Sequence, residues 1–78
     1  MTTEIEIIQA IAEHLGLLPE DVDRHALLRE ELNLGPIELQ DLLSDLSREF
    51  NINFETEEME DLKTVDDLIV LIEDNLLE

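Results

Sequence analysis

The chain has 78 residues, 22 acidic against 4 basic side chains, and no cysteine. This length predicts one small domain over 1–78, and the lack of cysteine excludes disulfides and thiolate metal sites. A net charge of −18 repels nucleic acid and anionic membranes and favours basic protein surfaces as partners. No apolar run reaches the roughly 18 residues of a membrane span, and the N-terminus lacks the basic segment of a signal peptide. We therefore expect a cytoplasmic monomer.

The first predicted helix begins near Glu4, since Thr3 and Glu6 have the spacing of a capping box. Gly16 is expected to end it, because glycine readily adopts the left-handed conformation found just after many helices. Apolar residues at helical spacing predict the buried stripe. Its members are Ile5, Ile8, Ala12 and Leu15, widened by Ile7 and Ile11.

A long polar loop follows the first helix. Leu18 is expected to be extended because Pro19 follows it, and Pro19–Asp21 predicts one short helical turn. Side chains must hold a loop of this length onto the core. The apolar residues expected to do so are Val22, Leu27, Leu28 and Leu32.

The second helix is predicted to run from Pro36 to Phe50, because proline suits the first helical position. Its expected buried stripe is Leu39, Leu42, Leu43, Leu46 and Phe50. Ile37 lies roughly opposite this stripe, on an acidic side of the helix. An apolar residue at that place is either an effect of the helix end or part of a surface that binds a partner.

Two further helices complete the predicted layout. Thr56 is expected to cap a short helix that ends by Leu62, and Thr64 with Asp67 predicts a cap for the last helix. The buried stripe of this last helix is predicted to be Val65, Leu68, Ile69, Ile72 and Leu76. Val70 falls off the stripe, so the last helix is either covered on a second side or frayed.

Four short segments, at the correct distances from one another, resemble the acyl carrier protein family. They are Glu13-His14-Leu15-Gly16, Glu30-Glu31-Leu32, Glu49-Phe50-Asn51-Ile52 and Lys63-Thr64-Val65. The resemblance covers nearly the whole chain without gaps. It implies an all-α four-helix bundle, with three long helices, one short helix and a long loop between the first two helices.

The family carries its cofactor on an Asp-Ser-Leu or Asp-Ser-Ile motif at the start of the second helix. The serine hydroxyl bears a 4′-phosphopantetheine arm, and acyl groups are attached to the thiol of that arm. In the ungapped alignment, Gly35-Pro36-Ile37 stands at the motif, and Pro36 has no hydroxyl. Matching Leu34-Gly35 to the family's Leu-Gly places Ile37-Glu38 there, which also lacks serine. The resemblance therefore predicts a domain without its cofactor.

The resemblance also implies a surface for partners. In the family, acidic residues of the second helix and the apolar residue after the serine bind basic patches on partner enzymes. Ile37, Glu38, Asp41 and Asp45 fit that role here. The same residues agree with an ordinary solvated face in a protein that is acidic throughout. The leading hypothesis is a non-catalytic docking module for a basic protein surface, with an enzyme of acyl metabolism as one candidate partner.

Other interpretations stay open at this point. One is a genuine acyl carrier protein of fatty acid or related acyl metabolism, modified at an atypical site. Ser44 and Ser47 are the serines of the second helix, but they lie two or more turns inside it. Another is an acidic decoy that mimics the charge of nucleic acid, whose binding would depend on total charge and not on Ile37. A chain engineered to keep the fold without the arm is also compatible with the sequence.

We find no pattern of a catalytic or metal site. His14 and His25 have no visible partners in the sequence. Asp21-Val22-Asp23 begins like a calcium-binding loop, but Ala26 and Leu32 stand where such a loop needs glycine and glutamate. We therefore predict that the chain is not an enzyme and holds no specific metal ion.

Overall fold

A computed structural model describes residues 3–76 of the chain, with side chains from Glu4 onward. Within that range four α-helices follow one another: α1 (Thr3–Leu15), α2 (Pro36–Phe50), α3 (Thr56–Glu60) and α4 (Val65–Leu76). A short 3₁₀ turn at Pro19–Asp21 lies in the loop between α1 and α2, as predicted. The all-α arrangement of three long helices and one short helix is confirmed.

The end of α1 has the predicted glycine. Gly16 has a φ of +73°, and its N–H donates to the carbonyl of Glu13 at 3.3 Å. The N–H of Leu17 donates to the carbonyl of Ala12 at 2.8 Å. This pair of bonds is a Schellman motif, which satisfies carbonyls that the helix itself leaves unpaired. The cap predicted from the Thr3 side chain lies outside the described side chains.

One member of the predicted stripe of α1 is wrong. Ile7 and Ile11 are fully buried, whereas Ile5 is 57% exposed. At about 100° per residue, Ile5 lies roughly 160° around the helix from Ile7 and roughly 120° from Ile11. A helix that turns the latter two into the core must therefore turn Ile5 toward solvent.

The loop between α1 and α2 is held onto the core by side chains, as expected, and also by backbone hydrogen bonds that were not predicted. Leu28 N–H donates to the Lys63 carbonyl at 2.8 Å, and Val65 N–H donates to the Ala26 carbonyl at 3.1 Å. Of the predicted anchors, Leu28 is buried, and the half-buried ones are Val22, Leu27 and Leu32. Lys63, between α3 and α4, and Val65, the first residue of α4, thus supply partners for polar backbone groups of the loop.

Arg24 ties this loop to the beginnings of two helices. Its guanidinium lies 2.5 Å from Glu4 Oε1 and 2.6 Å from Asp66 Oδ1. The hydrogen bond to Asp66, together with the charge of Glu4, raises the pKa of Arg24 above its ordinary value. Because these side chains are about two-fifths exposed, the contribution to stability is small.

The second helix has the predicted bounds, Pro36 and Phe50. Its buried residues are Leu39, Leu42, Leu43 and Leu46, which confirms the predicted stripe, and Phe50 is half-buried. Asn51 ends the helix in the left-handed conformation with a φ of 55°. This pattern shows which face of α2 points toward the core and which face points toward solvent.

The predicted cap of α4 is present, whereas the predicted cap of α3 is not. Thr64 Oγ1 accepts from Asp67 N–H, and Asp67 Oδ2 accepts from Thr64 N–H, each at 3.1 Å. This confirms the reciprocal cap of α4. The cap at Thr56 is wrong, because the N-cap of α3 is Glu55. The carboxylate of Glu58 accepts from the N–H of Glu55 at 3.1 Å, so glutamates cap this helix.

The core lies where α1 packs against α2 and α4. The residues that α4 buries are Val65, Leu68, Ile69 and Ile72. Leu76 was predicted among them but is 36% exposed, since it is the last residue of the helix. Between residues 3 and 76, no helix is both long and apolar enough to cross a membrane.

Candidate functional site

The start of α2 is placed by the end of the preceding loop. Leu34 is buried, and its N–H donates to the Leu28 carbonyl at 3.0 Å. Gly35 follows as the N-cap with extended backbone, and Pro36 is the first helical residue. The Gly35 carbonyl accepts from Leu39 N–H at 2.8 Å. The inward anchor at Leu34 leaves Pro36, Ile37 and Glu38 of the first turn of α2 facing solvent.

The outer face of this turn combines one apolar residue with exposed acids. Ile37 is 73% exposed, the highest fraction among the exposed large hydrophobic residues of the described chain. Glu38 and Asp41 are exposed as well. The structure therefore brings three of the four predicted docking residues together as an accessible surface, which we call the α2 face (Ile37, Glu38 and Asp41).

Asp45, the fourth predicted docking residue, is already engaged. Its Oδ2 lies 2.5 Å from His14 Nδ1, and its Oδ1 accepts a hydrogen bond from Arg48. The hydrogen bonds from His14 and Arg48 lower the pKa of Asp45 below its ordinary value. The contact with His14 joins the last turn of α1 to α2, so Asp45 offers less free charge to a partner than Glu38 or Asp41.

The contact between His14 and Asp45 could not be predicted from the sequence. The two residues lie 31 positions apart, on different helices, so no local spacing connects them. Arg48 could have been paired with Asp45 from the i, i+3 spacing alone. The position of His14 in the last turn of α1 was visible in the sequence, but its partner depends on how α1 and α2 cross.

No hydroxyl group stands on the first turn of α2, whose residues are Pro36, Ile37, Glu38 and Leu39. Ser44 is exposed but lies about 12 Å further along the helix axis, at 1.5 Å per residue. Ser47 Oγ donates a hydrogen bond to the Ile52 carbonyl. The hydroxyl of Ser47 therefore supports the turn at the end of α2.

The carboxylates of the described residues do not form a metal centre. No three acidic or histidine side chains between residues 4 and 76 come together in an arrangement that could hold a metal ion. Acidic residues instead occur both on the helices and in the loops between them. What the arrangement offers chemically is an anionic surface with a projecting isoleucine, which suits binding to a cationic protein surface.

Comparisons with known proteins agree on one family. The family model described as "Phosphopantetheine attachment site" matches residues 6–72. The acyl carrier protein of Exiguobacterium sibiricum is 32% identical over 69 residues, which cover 88% of this chain and 87% of that protein. The acyl carrier protein of Chlamydia trachomatis serovar L2 is 31% identical over 75 residues, covering 96% and 97%. A crystal structure of an acyl carrier protein from Thermotoga maritima superposes with a TM-score of 0.75 at 27% identity, covering 94% of this chain and 85% of that one.

Proposed function

Because this chain belongs to the acyl carrier protein family, we propose that it acts as a docking module of that family and does not carry the prosthetic arm. It would work by binding and not by catalysis. Its partner would be a basic protein surface, with an enzyme of acyl metabolism as the first candidate. Residues 1–78 would act together as one such module.

The observation that carries the proposal is Pro36 at the first position of α2. The family's arm is joined through a phosphodiester to a serine oxygen, and a proline ring has no oxygen to form that ester. The neighbours Gly35 and Ile37 offer no hydroxyl either. The residues present therefore do not fit attachment of 4′-phosphopantetheine at this place, and no carrier chemistry is assigned to it.

The α2 face supports the docking role. Ile37 projects from the protein with 73% of its surface exposed, next to the acids Glu38 and Asp41. Negative charge on one helix face raises the rate of encounter with a basic partner, and a projecting apolar residue adds contact energy once the two surfaces meet. Asp45 would lie at the edge of the interface, where a basic partner competes with His14 and Arg48 for its carboxylate.

A carrier modified at another place is the second candidate, and one residue favours it. Ser44 is exposed on α2, whereas the hydroxyl of Ser47 is used in a hydrogen bond to Ile52. If the chain bears an arm on α2, Ser44 is thus the available hydroxyl. An acidic decoy is the third candidate. Its binding, unlike that of the docking module, would not depend on Ile37.

Competition for a phosphopantetheinyl transferase tests the docking role. The substrate is a Gly35→Asp, Pro36→Ser double variant, which restores the family motif in front of Ile37. The enzyme must dock at the start of α2 to reach that serine, so an excess of the parent chain should slow the transfer. Ile37→Ala in the competitor should weaken this inhibition by about tenfold. Ile5→Ala is the matched control, because Ile5 is also exposed, at 57%, but lies on α1.

Two outcomes would contradict the docking role. Equal inhibition by the parent and by its Ile37→Ala variant would mean that total charge governs binding, which is the behaviour of a decoy. Failure of the double variant to accept the arm at all would mean that the α2 face has also diverged. In that second case the surface would no longer be one that partners of this family recognise.

A further inference from the structure

Helix α4 has a second apolar side, opposite the stripe that it buries in the core. Val70 is 45% exposed and Leu71 is half-buried. They share a face with Asp67 and Asp74, since the four follow the spacing i, i+3, i+4, i+7. At about 100° per residue they lie within an arc of roughly 100°. Val70 and Leu71 therefore lie at the two sides of a second surface of α4, with Asp67 and Asp74 between them.

This surface meets α3 in an open groove of about 310 Å³, which we call the α3–α4 groove. Val70, Leu71 and Leu62 supply its apolar contacts, and its carboxylates are Glu58, Asp61, Asp67 and Asp74. Its volume is at the lower end for small-molecule sites, which enclose most of their ligand. An open groove of this size suits one or two side chains that project from a polypeptide.

Two of the groove's carboxylates are held in place by backbone N–H groups. Asp67 Oδ2 accepts from Thr64 N–H and from Lys63 N–H, each at 3.1 Å, and Glu58 Oε1 accepts from Glu55 N–H at 3.1 Å. The hydrogen bonds from Thr64 and Lys63 lower the pKa of Asp67 below its ordinary value, so it is ionised at neutral pH. These anionic groups are thus positioned before any partner arrives.

We propose that the α3–α4 groove is a docking site for a cationic amphipathic helix of a partner protein. An amphipathic helix binds a groove through apolar side chains repeated along one face, and Val70 provides the contact for them. Asp61 and Asp74 are exposed and can pair with lysine or arginine side chains of that partner helix. A purely anionic partner is repelled by these carboxylates, and a small inorganic cation makes no use of Val70.

This site is separate from the α2 face, and it does not depend on whether the chain carries an arm. Residues of α3, of the segment that follows it and of α4 form it, whereas Ile37 lies on the first turn of α2. One domain could therefore bind two basic partners through different helices. Substitutions at Val70 and at Ile37 distinguish the two sites.

A titration followed by NMR tests the proposal with the ¹⁵N-labelled chain of residues 1–78. The probe is a short synthetic amphipathic helix of leucine and lysine, and the control peptide replaces each leucine with glutamine. We expect amide shifts concentrated in residues 58–62 and 67–74, and weak binding of the control peptide. Val70→Gln should weaken binding about tenfold, while Ile37→Gln and Ile5→Gln change it less than about twofold. Since Val70 is 45% exposed, the fold should tolerate this change, which circular dichroism checks.

Several results of these experiments would overturn the proposal. Equal binding of the two peptides would mean that charge alone attracts them. An equal loss on Ile37→Gln, or shifts spread over the α2 face, would place the peptide on the other surface. An Asp61→Asn, Asp74→Asn double variant should bind more weakly and with a flatter salt dependence. An unchanged affinity for that variant would also overturn the proposal.

Discussion

Replacing Leu46 with alanine should remove a large part of the free energy of unfolding. Leu46 is 1% exposed, on the inner side of α2. The substitution deletes about three carbon groups, each worth roughly 0.8 kcal/mol of burial, and the cavity term raises the expected loss to about 2–5 kcal/mol. At roughly 0.05–0.15 kcal/mol per residue, a chain of this length has a total of about 4–12 kcal/mol. The loss is thus a large share of the total, and the variant should unfold at a lower urea concentration than the parent.

Urea unfolding followed by circular dichroism measures this loss, with Ile37→Ala as the matched control. Ile37 is 73% exposed on the outer side of the same helix, so its truncation should change the free energy of unfolding by less than about 0.5 kcal/mol. The dependence on urea concentration should be similar in all three proteins. A loss below about 1 kcal/mol for Leu46→Ala, or equal losses for both variants, would refute the assignment of the two faces of α2.

Three further predictions concern charge and caps. Asp41→Asn should be neutral or stabilising in urea unfolding, because it relieves repulsion in a chain of net charge −18. Unfolding of this variant would show that the assignment of Asp41 to the outer face of α2 is wrong. Thr64→Ala should cost about 0.5–2 kcal/mol, whereas Thr56→Ala, outside the N-cap of α3, should cost much less, and equal costs would contradict the assigned caps. The pKa of Asp67 lies below its ordinary value of 3.8, so its stabilisation is present above pH 3.8 and is lost as the pH falls through the lower, folded value. Asp67→Asn should therefore lower the urea midpoint at pH 7 and converge with the parent once the pH falls below the folded pKa of Asp67; a difference that stays constant as the pH falls would contradict this linkage.

The bounds of the helices could be predicted because their signals are local. Pro36 fixes the first helical residue of α2, Gly16 ends α1, and Thr64 with Asp67 caps α4. Each of these acts within a few positions of itself, so the sequence around it is sufficient. The inner stripe of α2 was equally clear, since its leucines stand out against an otherwise polar helix.

Features that depend on the packing of distant segments could not be predicted. Apolar residues occur around most of α1, so periodicity did not show that Ile5 would face solvent. His14 meets Asp45 only because α1 crosses α2 at that level. The hydrogen bonds of the loop go to Lys63 and to Val65, far along the chain, and no residue type in the loop indicates them.

Part of the candidate site could be predicted from the sequence, and part of it could not. The absence of a hydroxyl at Pro36 and the apolar residue at Ile37 could be found in the sequence, since both lie in one helical turn. The partial neutralisation of Asp45 by its neighbours required coordinates. The groove between α3 and α4 was indicated in the sequence only by the position of Val70, because its other lining residues come from separate segments of the chain.

The most direct test of the proposed function is the intact mass of the parent chain after incubation with coenzyme A and a broad-specificity phosphopantetheinyl transferase. The Gly35→Asp, Pro36→Ser double variant is the positive control. A Cβ added at Gly35 would lie 2.7 Å from Glu38 Oε1, the end of a flexible side chain that can rotate away, so the first turn should accept the substitution. We predict an unmodified parent and a control whose mass increases by one arm. A parent that gains the same mass would contradict the central claim, and a Ser44→Ala variant would then show whether Ser44 carries the arm.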